Sequence, residues 1–366
     1  MLINKLELRN DRREIVDNIN TKLICHIFDR DAPHYEYGVW KEEYESLIVQ
    51  RQFVPRQKEA LKTIENILAA HGKEDLLKQI SELAKVEVSI RELQPWQRDH
   101  VVHALLSFFL GIYINEFFIK KITGKRTDPF QWKIAGLLHD IAYPVQISQG
   151  IAKRYSDKIN EIKDNLILVR PDVYFSIVPR NLDILQNNVN SFVLIQNQIK
   201  KWKLQIDVKA EYERMVDTGQ TCHGMISGLS ILYVIDMMYQ KYNPRRVRKS
   251  CFQPHSNVSW NQKYFEDAIV PSCSAIFLHN LRKGCFEKAK INMRKAPIAF
   301  LLKLSDLLQE WERPSFKDKK GFSSYQFDID MRKDELIFKA DIPEERKNNL
   351  REELYAVLDA ESVKMV

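Results

Sequence analysis

Five long apolar runs, each broken by a histidine or an aspartate, limit what this chain can fold into. They are "WQRDHVVHALLSFFLGIYINEFF", "FQWKIAGLLHDIAYP", "HGMISGLSILYVIDMMYQKY", "YFEDAIVPSCSAIFLHNL" and "APIAFLLKLSDLLQEWERP". Apolar residues at helical spacing over such lengths predict core helices. The polar residues inside them are His100, His103, His139, Asp140, His223, His279 and Asp306. Any one of these taken alone reads better as a hydrogen-bonded core residue than as a ligand, and Asp306 as a solvent-facing position. Together they are harder to explain that way. Burying an imidazole or a carboxylate costs several kcal/mol unless it finds a partner. Five helices each carrying one point to a common cation.

The types of side chain narrow that cation. Mixed histidine and carboxylate sets suit Fe, Mn, Co, Ni or Zn, and leave Mg open. Cysteine is missing from the set, which argues against a structural zinc knot. The five cysteines are scattered, with no C-x-x-C pair, so a reducing cytoplasm is expected. The N-terminal "MLINKLELRNDRREIV" has no signal-peptide core, and no span of about 18 or more apolar residues predicts a membrane segment. The net charge of +7 suits an anionic small-molecule ligand. It is too thin and scattered for duplex nucleic acid as the main partner, though single strands stay open.

Only 11 glycines in 366 residues, with no repeat, favour a mainly α fold. Residues 1–94 read as a helical region packed on the core, with a helix boundary at Gly72. Residues 95–320 read as the metal-binding helical domain, its first core helix capped by Asp99, with insertions over about 150–220 and 241–265. In "GLLHDIAYP" the proline is expected to close the helix, leaving His139 and Asp140 in its last turn. Residues 321–366 alternate around a polar centre in "YQFDIDMRKDELIFKADI" and predict a β-hairpin followed by a short helix.

The order H…HD…H…H…D on successive helices resembles the HD-domain superfamily of metal-dependent phosphohydrolases. The pieces that carry it are "RDHVVHALLSFFLG", "GLLHDIAYP", "CHGMISGLSILY", "AIFLHN" and "PIAFLLKLSDLLQEWERP", across about residues 95–315. The resemblance implies that His103, His139, Asp140 and Asp306 hold one metal, with His103 preferred to His100. It implies that Asp140 bridges to a second metal held by His223 and His279. In the branch it resembles, an acid commonly precedes the third histidine; Cys222 stands there instead.

The implied activity is hydrolysis of a phosphate mono- or diester, a nucleotide foremost, by metal-activated hydroxide at a mono- or dinuclear site. Asp140 and His223 are then the catalytic candidates at the cluster, with Arg282 and Lys283 close behind His279. Lys153, Arg154 and Arg245, with His100, are candidates to meet the substrate, although charged runs are usually solvated surface. Arg246, Arg248 and Lys249 share the loop of Arg245. Two other readings of the same pattern are a nucleotide-binding sensor without turnover and a di-iron oxygenase. An oligomer is compatible with either.

Overall fold

The computed structural model of the protein describes residues 18–29, 35–69, 85, 99–165, 185, 190–241, 265–312 and 325–366. Its helices in chain order begin with α1 (Asn18–Leu23), α2 (Lys41–Val49), α3 (Phe53–Ala69), α4 (His100–Ile114), α5 (Pro129–Leu138) and α6 (Tyr143–Asn165). They continue with α7 (Ser191–Lys201), α8 (Val208–Thr218), α9 (His223–Lys241), α10 (Val270–His279), α11 (Pro297–Leu308) and α12 (Glu344–Val357). The mainly α expectation holds. The basic loop with Arg245, and the expected boundary at Gly72, lie outside the described residues.

All fifteen residues of α4 are buried, which makes it the axis of the core. A helix apolar on every face must be covered on every face. It starts where the sequence predicts, with the Asp99 side chain accepting from the Val102 amide at 3.1 Å. A π-helical turn, Asn115–Ile119, carries it on to Thr123. The stretch His100–Thr123 is long and apolar enough to cross a membrane, the one such helix among the described residues. Its most apolar window is 89% buried inside the fold, so the protein interior accounts for its character.

Close approach of backbones fixes the neighbours. Trp132 of α5 lies flat over Gly111 of α4, where an added Cβ would come within 1.9 Å of the indole. The indole N–H donates to the Phe108 carbonyl at 3.0 Å. Along α9, Gly224 and Gly228 sit one turn apart against α10. A Cβ there would meet the carbonyls of Ile276 at 2.9 Å and Cys273 at 2.6 Å. α11 packs against α4 and α10 and completes the core.

One expectation is corrected at the junction of α5 and α6. α5 ends at Leu138, and residues 139–142 form a tight turn with the Tyr143 amide donating to the Asp140 carbonyl at 2.9 Å. Pro144 then opens α6 instead of closing α5. A proline lacks only an N–H that a first helical turn leaves unpaired anyway, so it is as good a start signal as a stop signal.

The C-terminal residues form a small α+β element. β1 (Ile291–Asn292) pairs in parallel with β4 (Leu358–Asp359). β2 (Phe327–Arg332) and β3 (Glu335–Ala340) form an antiparallel hairpin, and β5 (Val363–Met365) returns parallel to β3 after α12. Phe327, Ile329, Leu336, Phe338 and Ala340 point inward on alternate positions. Ion pairs tie this element to the helices. Lys22 of α1 meets Asp328 at 2.6 Å and also Asp330, and Lys303 of α11 meets Glu353 of α12 at 2.5 Å.

Candidate metal centre

Five elements deliver the six residues expected to form the cluster. His103 lies one turn into α4, and His139 and Asp140 in the turn between α5 and α6. His223 opens α9, His279 closes α10, and Asp306 lies near the end of α11. All six side chains converge, although His103 and Asp306 are 203 positions apart. Gly224 and Gly228 let α9 lie close enough to α10 for the His223 and His279 rings to meet.

Asp140 stands at the centre. Its Oδ1 lies 3.1 Å from His223 Nε2, 3.5 Å from His279 Nε2 and 3.6 Å from His139 Nε2, and its Oδ2 lies 3.8 Å from His103 Nε2. Asp306 Oδ1 lies 2.9 Å from His103 Nε2 and 3.9 Å from His139 Nε2. Two overlapping groups result: His103, His139 and Asp140, and Asp140, His223 and His279. Each is buried and tight enough to hold a metal ion. Asp306 joins the first by its contact with His103.

The far side of each ring shows why these nitrogens face inward. His139 Nδ1 lies 3.0 Å from the Gly136 carbonyl, and His279 Nδ1 lies 2.6 Å from the Ile276 carbonyl. A carbonyl oxygen only accepts, so both Nδ1 atoms carry the proton and leave the Nε2 lone pairs for the centre. His103 Nδ1 faces Gln309 Oε1 at 2.5 Å, and His223 Nδ1 faces Gln146 Oε1 at 2.7 Å. The Nε2 atoms meet at 3.4 Å between His103 and His139 and at 3.1 Å between His223 and His279. Lone pairs facing one another beside two carboxylates are a donor set that fits a divalent cation.

The electrostatics agree. Burial pushes the His139 and His223 pKa values down, against the pull of Asp140, so both rings resist protonation. Burial pushes the Asp140 carboxyl up, but His139, His223 and His279 outweigh it and hold it well below the ordinary value. Asp306 is held low in the same way, chiefly by His103. Neutral imidazoles and ionised carboxylates are the forms that bind metals. Solvent reaches the cluster unevenly among the described residues. The Asp306 and His223 side chains keep 19% and 11% of their surface, whereas His139 keeps none.

The other expected site residues are spread around this core. His100 is buried beside the cluster, its ring stacked on Tyr143 with centroids 3.5 Å apart, and Tyr143 in turn lies edge-on to His223. Arg282 is bound to Glu211 at 2.6 Å and Lys283 to Glu352 at 2.7 Å. Lys153 and Arg154 are exposed on α6. Arg245 lies outside the described residues. The sequence reading passed over Gln146, Gln309 and Asn280, whose amide lies 3.0 Å from His223 Nδ1. It also passed over Ser227, whose hydroxyl accepts from the Ala142 amide at 3.0 Å and anchors the His139–Asp140 turn. Cys222, where an acid was expected, points its thiol at the Asn280 carbonyl, and burial pushes its pKa up to about 11. It makes no substitute for a carboxylate; Gln146, from another helix, faces the ring instead.

No protein-family model, curated protein or solved structure matches the chain.

Proposed function

We propose that the protein is a metal-dependent phosphohydrolase that cleaves a phosphate mono- or diester, with a nucleotide as the foremost substrate class. The observation that carries this reading is Asp140, whose two carboxylate oxygens face both imidazole groups at once. His103, His139, Asp140 and Asp306 would hold one divalent ion, and Asp140, His223 and His279 a second. Bound there, Mn, Fe, Co, Ni, Zn or Mg supplies water activation at neutral pH and a positive clamp on a phosphoryl oxygen.

The chain's own residues do the rest. Burial of His103, His139, Asp140 and His279 keeps water away from them, which strengthens the electrostatic contacts among them. Asp306 and His223, the two cluster side chains with measurable exposure, mark the side from which substrate would approach, with Tyr143 against the His223 ring. Asp140, ionised and shared between the imidazoles, is the group placed to hold a proton of the attacking water. A substrate phosphate must displace Glu211 or Glu352 before Arg282 or Lys283 can bind it, so these two are secondary contacts. The basic balance of the chain favours an anionic substrate. The thiols of Cys25, Cys222, Cys273 and Cys285 are free, in keeping with a cytoplasmic setting.

The test is metal analysis of the purified chain, followed by a phosphate-release screen over nucleotides with Mn, Co, Ni, Mg and Fe. Metal uptake with phosphate release that Asp140→Ala abolishes is the expected result. Activity that survives Asp140→Ala overturns the proposal. So does oxygen consumption by an iron-loaded protein that releases no phosphate.

A further inference from the structure

Two glutamines lie behind the imidazoles, one for each half of the cluster, and their orientation is not arbitrary. Oxygen and nitrogen of a side-chain amide are normally assigned from their neighbours. Here backbone groups make the assignment. The Gln309 Nε2 lies 2.6 Å from the Trp311 carbonyl, which only accepts, so that end of the amide is the NH₂. Its oxygen must then face His103 Nδ1. The Gln146 oxygen lies 3.0 Å from the His223 backbone amide, which only donates, so that end must be the oxygen. The same oxygen lies 2.7 Å from His223 Nδ1.

We infer that Gln309 and Gln146 are positioning residues that set the tautomers of His103 and His223, so that each governs the metal affinity of one half of the centre. Both oxygens can only accept, which favours the proton on Nδ1 and a bare Nε2 inward in both rings, at His223 in competition with the Asn280 amide nitrogen 3.0 Å from the same Nδ1. His139 and His279 need no such help, because carbonyls three residues back in the chain, in α5 and α10, perform the task. His223 is the first residue of α9 and has no preceding turn of its own helix to supply a carbonyl, and the His103 ring, one turn into α4, faces Gln309 and not a carbonyl of its own helix. In both cases the facing group comes from elsewhere in the chain. Gln309 comes from the segment after α11 and Gln146 from the first turn of α6. Partners of this kind typically change metal affinity about 10–100-fold when removed.

This inference rests on the metal-centre reading, and one experiment separates the two. The full chain is stripped with chelator and titrated with Mn²⁺ or Zn²⁺ by calorimetry, for the natural sequence and for Gln309→Leu, Gln146→Leu, Gln309→Glu and Gln146→Glu. A natural chain that takes up neither ion defeats the metal-centre reading itself. If it binds, Gln309→Leu should weaken one equivalent about 10–100-fold and leave the other, Gln146→Leu should do the reverse, and both glutamate variants should bind at least as tightly as the natural chain. Leucine variants that bind like the natural chain, or glutamate variants as weak as the leucine ones, overturn the inference. Because a leucine variant could fail to fold, long-range ¹⁵N spectra of the metal-free natural chain give a second measurement. Protons on Nδ1 of His103 and His223 are expected; protons on Nε2 alone overturn the inference.

Discussion

Gly224 faces His279 so closely that a Cβ on it would stand 2.9 Å from the ring's Nδ1 and 2.9 Å from the Ile276 carbonyl that holds that nitrogen. The absence of a side chain is thus part of the candidate metal centre. It lets α9 and α10 touch, and it keeps the Nδ1 contact of His279 intact. Gly224→Ala should lower stability by about 1–3 kcal/mol, the usual range for overpacking a tight contact. It should also weaken the His223–His279 half of the centre. Thermal unfolding and Zn²⁺ titration check both; an alanine variant with unchanged melting and unchanged binding contradicts the close packing.

Acid should destabilise the metal-free protein, and the sign follows from the rings. His139 and His223 resist protonation in the fold because burial lowers their pKa values. The unfolded chain takes up those protons near pH 6.5, so below that pH it binds more protons than the native state, and stability falls. Asp140 and Asp306, held low in the fold, add to the loss as pH drops below about 4. Melting temperatures in chelator should be level above pH 7 and decline from about pH 6.5 downward. A melting temperature that rises on acidification to pH 5 would contradict this.

Arg346 of α12 binds Glu310, which is buried and adjacent to Gln309. Arg346→Ala leaves that carboxylate without its guanidinium, a loss of about 1–3 kcal/mol for a buried charged group, toward the lower end because Arg346 is half exposed to water. Urea unfolding measures it. Arg346→Lys should recover only part of the loss, since the Arg346 Nε and terminal NH₂ both donate to one Glu310 oxygen.

Trp132→Ala should cost about 3–5 kcal/mol, because it empties the contact over Gly111 and removes the bond to the Phe108 carbonyl. Circular dichroism with denaturant titration reads the loss. An effect under 1 kcal/mol would show that α4 and α5 do not depend on this wedge.

Much of the fold was legible because its helices are apolar on nearly every side. A run such as His100–Ile114 has nowhere to go but the interior, and Asp99 announces its start. The six converging side chains were legible for a related reason: an imidazole or carboxylate within such a run has to find a partner, and only the others were available. Gln146 and Gln309 were not legible. A glutamine follows no burial rule strong enough to mark it, and its role depends on which backbone groups happen to meet its two ends. The Pro144 junction was misread because the same residue suits the end of one helix and the beginning of the next. Arg282 and Lys283 could be placed near His279 by spacing, but not paired, since Glu211 and Glu352 are about 70 positions away in opposite directions.

The separation of His103 from Asp306 along the chain has a consequence for biosynthesis. A ribosome releases all four imidazoles and Asp140 before it releases Asp306 and Gln309. Until those last two emerge, His103 has neither its carboxylate nor the amide that orients it. The growing polypeptide therefore cannot complete the His103 half of the cluster until nearly all of the helical core has been translated.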